Sequence, residues 1–430
     1  TIMKKIIIIS ALWFLLYNIL FIDLSVSVVV RRTPAFYFSP GEISVIIQIT
    51  GETGNLTIVE TPPPNLFVIR STITNNGVLS SNIVTWNLKS ITGDIYLHYD
   101  LKVTLSAEGD LAFHGTSNGS EIGGDAIIPP ANFTITKPIN LGTPINSSSP
   151  ESSPMLSADE LEMIFMSERP GGLGGWDFWV TRRASLTSPW EKPVNLDSPV
   201  NTSGHEFFPC LSVDGLKLFF ATGFFKYSTS RPGGMGMSDI WMATRESVDT
   251  NWNTPINLGA PVNSTGLESA PNLSADGLTL LFYSDRRGGM GGYDLWMAVR
   301  ESTQAPFDTV MNMGPVVNSF YNEIEPSLSR DGLRLFFQAL ERNNTDSMVW
   351  MTTRASVHDE WRAPIKLPAS INSGTIAAAG PYFYGEDTLY FLSLRSGGMG
   401  AEDLWYVKFI PQITGIPYWQ DYDIPRQEGW

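Results

Sequence analysis

Cysteine is almost missing from this sequence: Cys210 is the only one in 430 residues. No intramolecular disulfide can form, so stability outside a cell would have to come from packing alone. Cys210 lies in the strand-like "FFPCLS", where sister segments carry Met155, Asn272, Ser327 and Tyr382. That context points to a half-buried strand position and away from a thiol nucleophile. Positive charge is scarce too, with 28 Lys and Arg against 43 Asp and Glu and a formal charge of −15. Phosphate neutralisation needs basic clusters that this chain does not supply, which excludes a nucleic-acid surface and disfavours docking on anionic membranes. The four histidines, His98, His114, His205 and His358, make no Ser-His-Asp arrangement, metal-binding His-x-x-x-His or zinc spacing. Only His205, next to Glu206, has a carboxylate neighbour worth testing.

Aromatic residues are abundant: 13 Trp, 23 Phe and 14 Tyr, far more than a disordered chain carries. The length predicts two or three domains. Near the start, "MKKIIIISALWFLLYNILFIDLSVSVVV" sets two lysines ahead of a long apolar run. This pattern predicts a signal peptide or N-terminal membrane anchor over residues 1–27, and hence an exported protein, periplasmic or at the cell surface. Any membrane contact would come through that segment, if uncleaved.

Residues 28–130 alternate in short runs such as "SVIIQIT", "IVTWNL" and "IYLHYDLKVTL". β-branched or aromatic residues fall at every second position, which predicts a small antiparallel β-sandwich with Trp86 in its core. The stretches "SPGEISVIIQI", "IVETPPPNLFVI" and "ITGDIYLHYDLKV" resemble the immunoglobulin-like modules that precede repeat domains in exported bacterial proteins.

Residues 131–409 are periodic. An Asp-x-Trp element recurs with its tryptophan at Trp179, Trp241, Trp296, Trp350 and Trp405, at intervals of 62, 55, 54 and 55 residues; the fourth copy has Met348 in the aspartate position. Each interval holds four strand-like pieces, the sequence form of a propeller blade. An outer-strand signature follows each of the first four elements, as in "WNTPINLGAPVN"; the fifth lacks one, and "FTITKPINLGTPIN" (133–146) stands before the first. The expectation is an all-β protein: a five-bladed β-propeller closed by the strand 133–146 and preceded by the sandwich. Residues 410–430 read as a linker or docking tail, with a truncation at Trp430 left open.

The combination "P-x-L-S-x-D-G-L-x-L-x-F" and "S-x-R-x-G-G-x-G-x-x-D-L-W" resembles the WD-like repeat propellers of exported bacterial proteins, of TolB type. The resemblance implies a periplasmic or surface binding platform. TolB has six blades and an α/β partner domain, so its lipoprotein partner is not carried over.

The glycine loops run into strands, unlike a phosphate loop, which opens a helix. Arg169 and Asp177, Arg231 and Asp239, Arg286 and Asp294, and Arg395 and Asp403 are each eight residues apart. That spacing predicts an arginine–aspartate clasp across each loop. Glu151, Glu206, Glu268 and Glu323 recur three residues before a blade-opening proline, with Ala378 in the fifth place. They are expected either to cap backbone amides, each within its own blade, or to converge on the face that rims the central channel and there hold a cation such as calcium or meet a basic partner. No cofactor is otherwise called for. The longest loop carries Phe224, Phe225 and Tyr227, which would either stack on a sugar or anchor a protein, or fold back to cover the adjacent sandwich. Because the carboxylates recur blade after blade, the functional expectation is a non-catalytic, monomeric binding or scaffold protein for an envelope protein or polysaccharide. The alternative is a five-bladed-propeller glycoside hydrolase, which would need a unique acid and base on different blades.

Overall fold

The computed structural model describes residues 28–33, 41–50, 53–63, 66–92, 94–103, 111–117, 120–124, 127–128, 133–223, 231–341, 346–372, 378–385 and 387–411. The candidate leader 1–27, the aromatic residues Phe224, Phe225 and Tyr227, and the tail from 412 onward lie outside the described residues.

The described chain is nearly all β, and its larger part is a propeller arrangement of four-stranded antiparallel sheets. The first of these sheets runs Glu151–Leu156, Glu162–Ser167, Asp177–Arg182 and Val194–Asn195, each strand paired to the one before. Its second strand is buried at every position, because neighbouring sheets cover both of its faces; this is why its sequence is a continuous apolar run and not an alternation. The opening strands Glu151–Leu156, Glu206–Leu211, Glu268–Leu273, Asn322–Leu328 and Ala379–Tyr384 touch one another in that order, and the last touches the first. They surround a central channel.

The sheet ending in Asp403–Pro411 receives its outer strands, Phe133–Ile135 and Ile139–Asn140, from the far end of the repeat region. Asn146 fastens this seam: its amide donates to the Leu404 carbonyl (3.0 Å) and its Oδ1 accepts from the Leu404 N–H (2.9 Å). Asn201, Asn263, Asn318 and Asn372 do the same for their own sheets. Pairing an outer edge in this way removes unsatisfied strand groups that would otherwise face solvent.

Besides a short two-stranded pair, Leu111–Ala112 with Ile127–Ile128, the N-terminal part contains two larger sheets among the described residues. One joins Val28–Arg32, Gly41–Thr50, Phe67–Ile69 and Ile95–Val103; the other joins Thr53–Thr61, Val78–Ser80, Ile83–Thr92, His114–Ser117 and Ser120–Glu121. Ile43, Val45, Ile47 and Ile49 from the first pack with Leu56, Ile58, Val84 and the fully buried Trp86 from the second. A buried ion pair, Arg31 Nη2 to Glu60 Oε1 at 2.8 Å, crosses between them, with the Tyr99 hydroxyl donating to Glu60 Oε2 (3.4 Å).

These sheets are not a separate bead on the chain. Ile43 pairs with Ile365, so the first N-terminal sheet continues directly into the fourth propeller sheet, and the same core takes in Phe336, Val349 and Met351.

Candidate functional site

The repeated carboxylates open the innermost strands, and each is buried in its own sheet: Glu151, Glu206, Glu268 and Glu323 are at most 2% exposed. Glu268 accepts from the N–H and hydroxyl of Ser264 (2.7 and 2.6 Å) and from the Ser284 hydroxyl (2.8 Å). Glu151, Glu206 and Glu323 repeat the N–H and hydroxyl contacts with Ser147, Thr202 and Ser319. They therefore do not converge on the channel. Among the described residues no three or more His, Cys, Asp or Glu side chains gather to hold a metal ion.

The expected arginine–aspartate clasp is replaced by a different partnership. Arg169 pairs with Glu151 (3.0 Å), Arg231 with Glu206 (3.5 Å) and Arg286 with Glu268 (3.1 Å). Each guanidinium also donates to two successive carbonyls of the preceding outer connection, for Arg286 those of Pro261 (3.1 Å) and Val262. Each lies over a phenylalanine and a tryptophan, with Arg286 5.0 Å from the Phe282 and 5.3 Å from the Trp296 ring centre. Arg395 has the carbonyls of Ser370 and Ile371 and the rings of Phe391 and Trp405 in the same arrangement, with Ala378 where the glutamate would be.

The aspartates hold the glycine loop. Asp177 accepts from the N–H groups of Leu173 and Gly174 and from the Asn195 amide (3.1 Å); Asp239, Asp294 and Asp403 take the matching loop amides. A Cβ on Gly172 would stand 2.1 Å from Asp177 Oδ2, so glycine is required there. The carboxylate and the glycines thus serve one loop, while the arginine belongs to the strand beneath it.

His205 stacks on Phe207 (5.6 Å between ring centres), and its Nδ1 accepts from the Trp176 N–H (3.1 Å). It makes no hydrogen bond with Glu206 among the described residues. Cys210 is buried in the channel wall, where desolvation pushes its thiol up to about 12; it is a structural side chain there.

The channel is lined by a feature that sequence reasoning did not reach. Each innermost strand carries a register shift at its proline, and the residue before that proline has positive φ: Ser153 (47°), Phe208 (56°), Ala270 (49°), Glu325 (53°) and Gly380 (57°). Proline has no N–H to offer a ladder, so it is tolerated only at a free edge or bulge; here the free edge faces the channel. Left-handed non-glycine residues are costly and tend to collect at functional sites. Four of the five ring residues are neutral, and Glu325 alone is acidic. Its carboxylate accepts from the Gly380 N–H (2.6 Å). The channel walls desolvate it and raise its pKa to about 7, the nearby Glu402 adding repulsion. The signal lay in one column of the repeat, Ser-Phe-Ala-Glu-Gly before the proline. The channel itself is narrow, with openings of about 40 and 70 Å³ at its two levels.

A larger cavity, about 290 Å³, lies where the N-terminal sheet meets the fourth propeller sheet. Its wall is mostly apolar, including Ile46, Tyr96, Phe337 and Trp350. Phe320 and Tyr321, with ring centres 4.2 Å apart, belong to the same wall, and Phe320 is 53% exposed. Several of its polar groups are held by one another: His98 Nε2 meets Asp100 Oδ1 at 3.0 Å, the Ser44 hydroxyl donates to the same oxygen (2.7 Å), and Lys366 pairs with Glu42 (3.1 Å). Burial opposes a charge on His98, but Asp100, with a smaller contribution from Glu323, raises its pKa overall. Glu323 also borders the cavity, and desolvation lifts its carboxyl to about 7.

Residues 67–118, in the N-terminal part, match the family model described as LRR adjacent. No curated protein matches the chain. Among solved structures, it is similar to an α-L-arabinofuranosidase from Lactobacillus brevis at 12% identity and TM-score 0.42, covering 65% of this chain and 98% of that one. An endo-arabinase from Bacteroides thetaiotaomicron gives 11% and 0.43, covering 66% and 99%. A Bacteroides thetaiotaomicron protein of unknown function gives 8% and 0.34, covering 89% and 98%. At these values the likeness transfers no activity to the chain.

Proposed function

We propose that the chain is a five-bladed β-propeller preceded by an immunoglobulin-like sandwich, akin to the exported WD-like repeat propellers of TolB type. In this reading it is a non-catalytic binding protein of the cell envelope, whose partner is a protein or a glycan. The observation that carries it is the 290 Å³ cavity at the junction of the two parts. An apolar hollow with a few convergent polar groups, set between domains, is the usual form of a ligand site. The shared sheet through Ile43 and Ile365 fixes the two walls relative to each other, so little ordering would be needed on binding. Capture of the full chain on envelope proteins and polysaccharides tests this. Replacing both Phe320 and Tyr321 with alanine should weaken capture; undiminished capture would move the site to the channel face or to the loop with Phe224, Phe225 and Tyr227.

Glu325 favours a second reading, glycoside hydrolysis. A unique carboxylate in the channel, held protonated to about pH 7, has the property of a general acid. That chemistry also needs a second carboxylate across the substrate; Glu402, which adds to the rise at Glu325, is the candidate, although it is not among the residues that line the channel. Binding remains the preferred reading because the channel is far smaller than the cavity.

A further inference from the structure

We propose that the cavity receives a guanidinium group carried by its ligand, in the place that one of the chain's own arginines takes in each of the other four propeller sheets. The inference rests on the binding reading above only in taking this cavity as the site.

The four sister sheets define what a guanidinium needs here. In the third, Arg286 lies over Phe282 and Trp296, donates to the carbonyls of Pro261 and Val262, and meets Glu268 at 3.1 Å. The fifth keeps the rings and carbonyls around Arg395 without a glutamate. Two aromatic faces and a pair of carbonyls are therefore the shared element, and the carboxylate adds to them.

The fourth sheet has a counterpart, by register and by position, for each part of this cradle. Strand register sets Phe337 opposite Trp350, as it sets Phe282 opposite Trp296. Val316 and Val317 precede Asn318 as Pro261 and Val262 precede Asn263, and Glu323 stands where Glu268 does. These five residues all line the cavity. The arginine position has changed: Arg286 lies two residues beyond Ser284, which pairs with Asp294, whereas Ala339 pairs with Met348 and the residue two beyond it is Glu341. Among the described residues no arginine contacts these rings or Glu323.

Charge around the cavity agrees. Glu42, Asp100 and Glu323 face Lys366 and His98. Lys366 approaches the Trp350 ring at 5.8 Å but is drawn to Glu42, and His98 is held by Asp100, which leaves Glu323 as the carboxylate for an incoming cation. A planar guanidinium suits two flanking rings and paired carbonyls better than a compact ammonium does. The ligand could be a free guanidinium compound or an arginine side chain of a peptide, since both present the same head group.

Calorimetric titration of the full chain tests this with agmatine, a blocked Gly-Arg-Gly peptide, and the matching peptide with citrulline, the uncharged isostere. Saturable binding of agmatine or the arginine peptide is expected, with citrulline at least about tenfold weaker. The stronger of the first two identifies the source. Glu323→Gln should weaken binding about tenfold, and Glu341→Arg, which restores an arginine to the sheet, should abolish it; Glu268→Gln, whose cradle is already filled, controls for loss of a buried carboxylate. Equal binding of citrulline, or no saturable binding, would overturn the proposal. So would binding that appears only in Arg342→Ala, because the chain's own next arginine would then be the occupant. A partner captured on the envelope panel with no guanidinium affinity would leave the binding reading standing and remove this one.

Discussion

Arg286 and Glu268 meet at 3.1 Å beneath the glycine loop, while Asp294, eight residues from Arg286, faces the loop amides instead. Equal spacing in the sequence had joined the wrong partners. Because the glutamate is wholly buried, truncating Arg286 to alanine leaves an uncompensated carboxylate and should cost about 3–5 kcal/mol. A double-mutant cycle by urea unfolding should find strong coupling for Arg286 with Glu268 and a smaller one for Arg286 with Asp294. The reverse ranking would restore the clasp.

Gly380 takes the same left-handed conformation as Ser153, Phe208, Ala270 and Glu325. A Cβ there would find its nearest neighbours at 3.7 Å, ordinary contact distance. Gly380→Ala should therefore lower stability only by the backbone cost, about 1–2 kcal/mol, and keep the N–H bond to Glu325. A much larger loss would mean that this strand does not share its sisters' bulge.

Glu325, Glu206 and Glu323 have pKa values near 7 in the fold against an ordinary 4.5, chiefly through desolvation. Their protonated forms are favoured when folded, so their contribution is fully present below pH 4.5 and is lost as pH rises through about 7. Glu325→Gln, which keeps the acceptor for Gly380, should flatten part of that fall. The melting temperature of the variant should exceed that of the parent at pH 8, by about 2–4 °C for each kcal/mol recovered, and match it near pH 4. Identical pH profiles would show that the Glu325 carboxylate is ionised in the fold.

The propeller arrangement was legible because its strands repeat a strong pattern: an apolar second strand, an Asp-Gly hairpin and an Asp-x-Trp third strand. At the Asp214-Gly215 turn, for example, Asp214 accepts from the Leu216 N–H (3.0 Å) and Gly215 has φ of 68°, the conformation that pair of residues signals. Side-chain partners were harder to read. The arginine–glutamate pairs join residues 18 to 25 apart in sequence, and register across three strands, not spacing, decides them. Glu325 was hidden because its meaning lies in backbone conformation at one column of the repeat. The cavity was hidden because it needs Ile43 to pair with Ile365, far apart in the chain.

The most direct measurement is to hold the full chain on a panel of polysaccharides and envelope proteins and assay the same wells for released sugar. The binding account predicts retention on at least one surface with no product. Sugar released by the parent chain and lost in Glu325→Gln would contradict it and establish the channel as an active site.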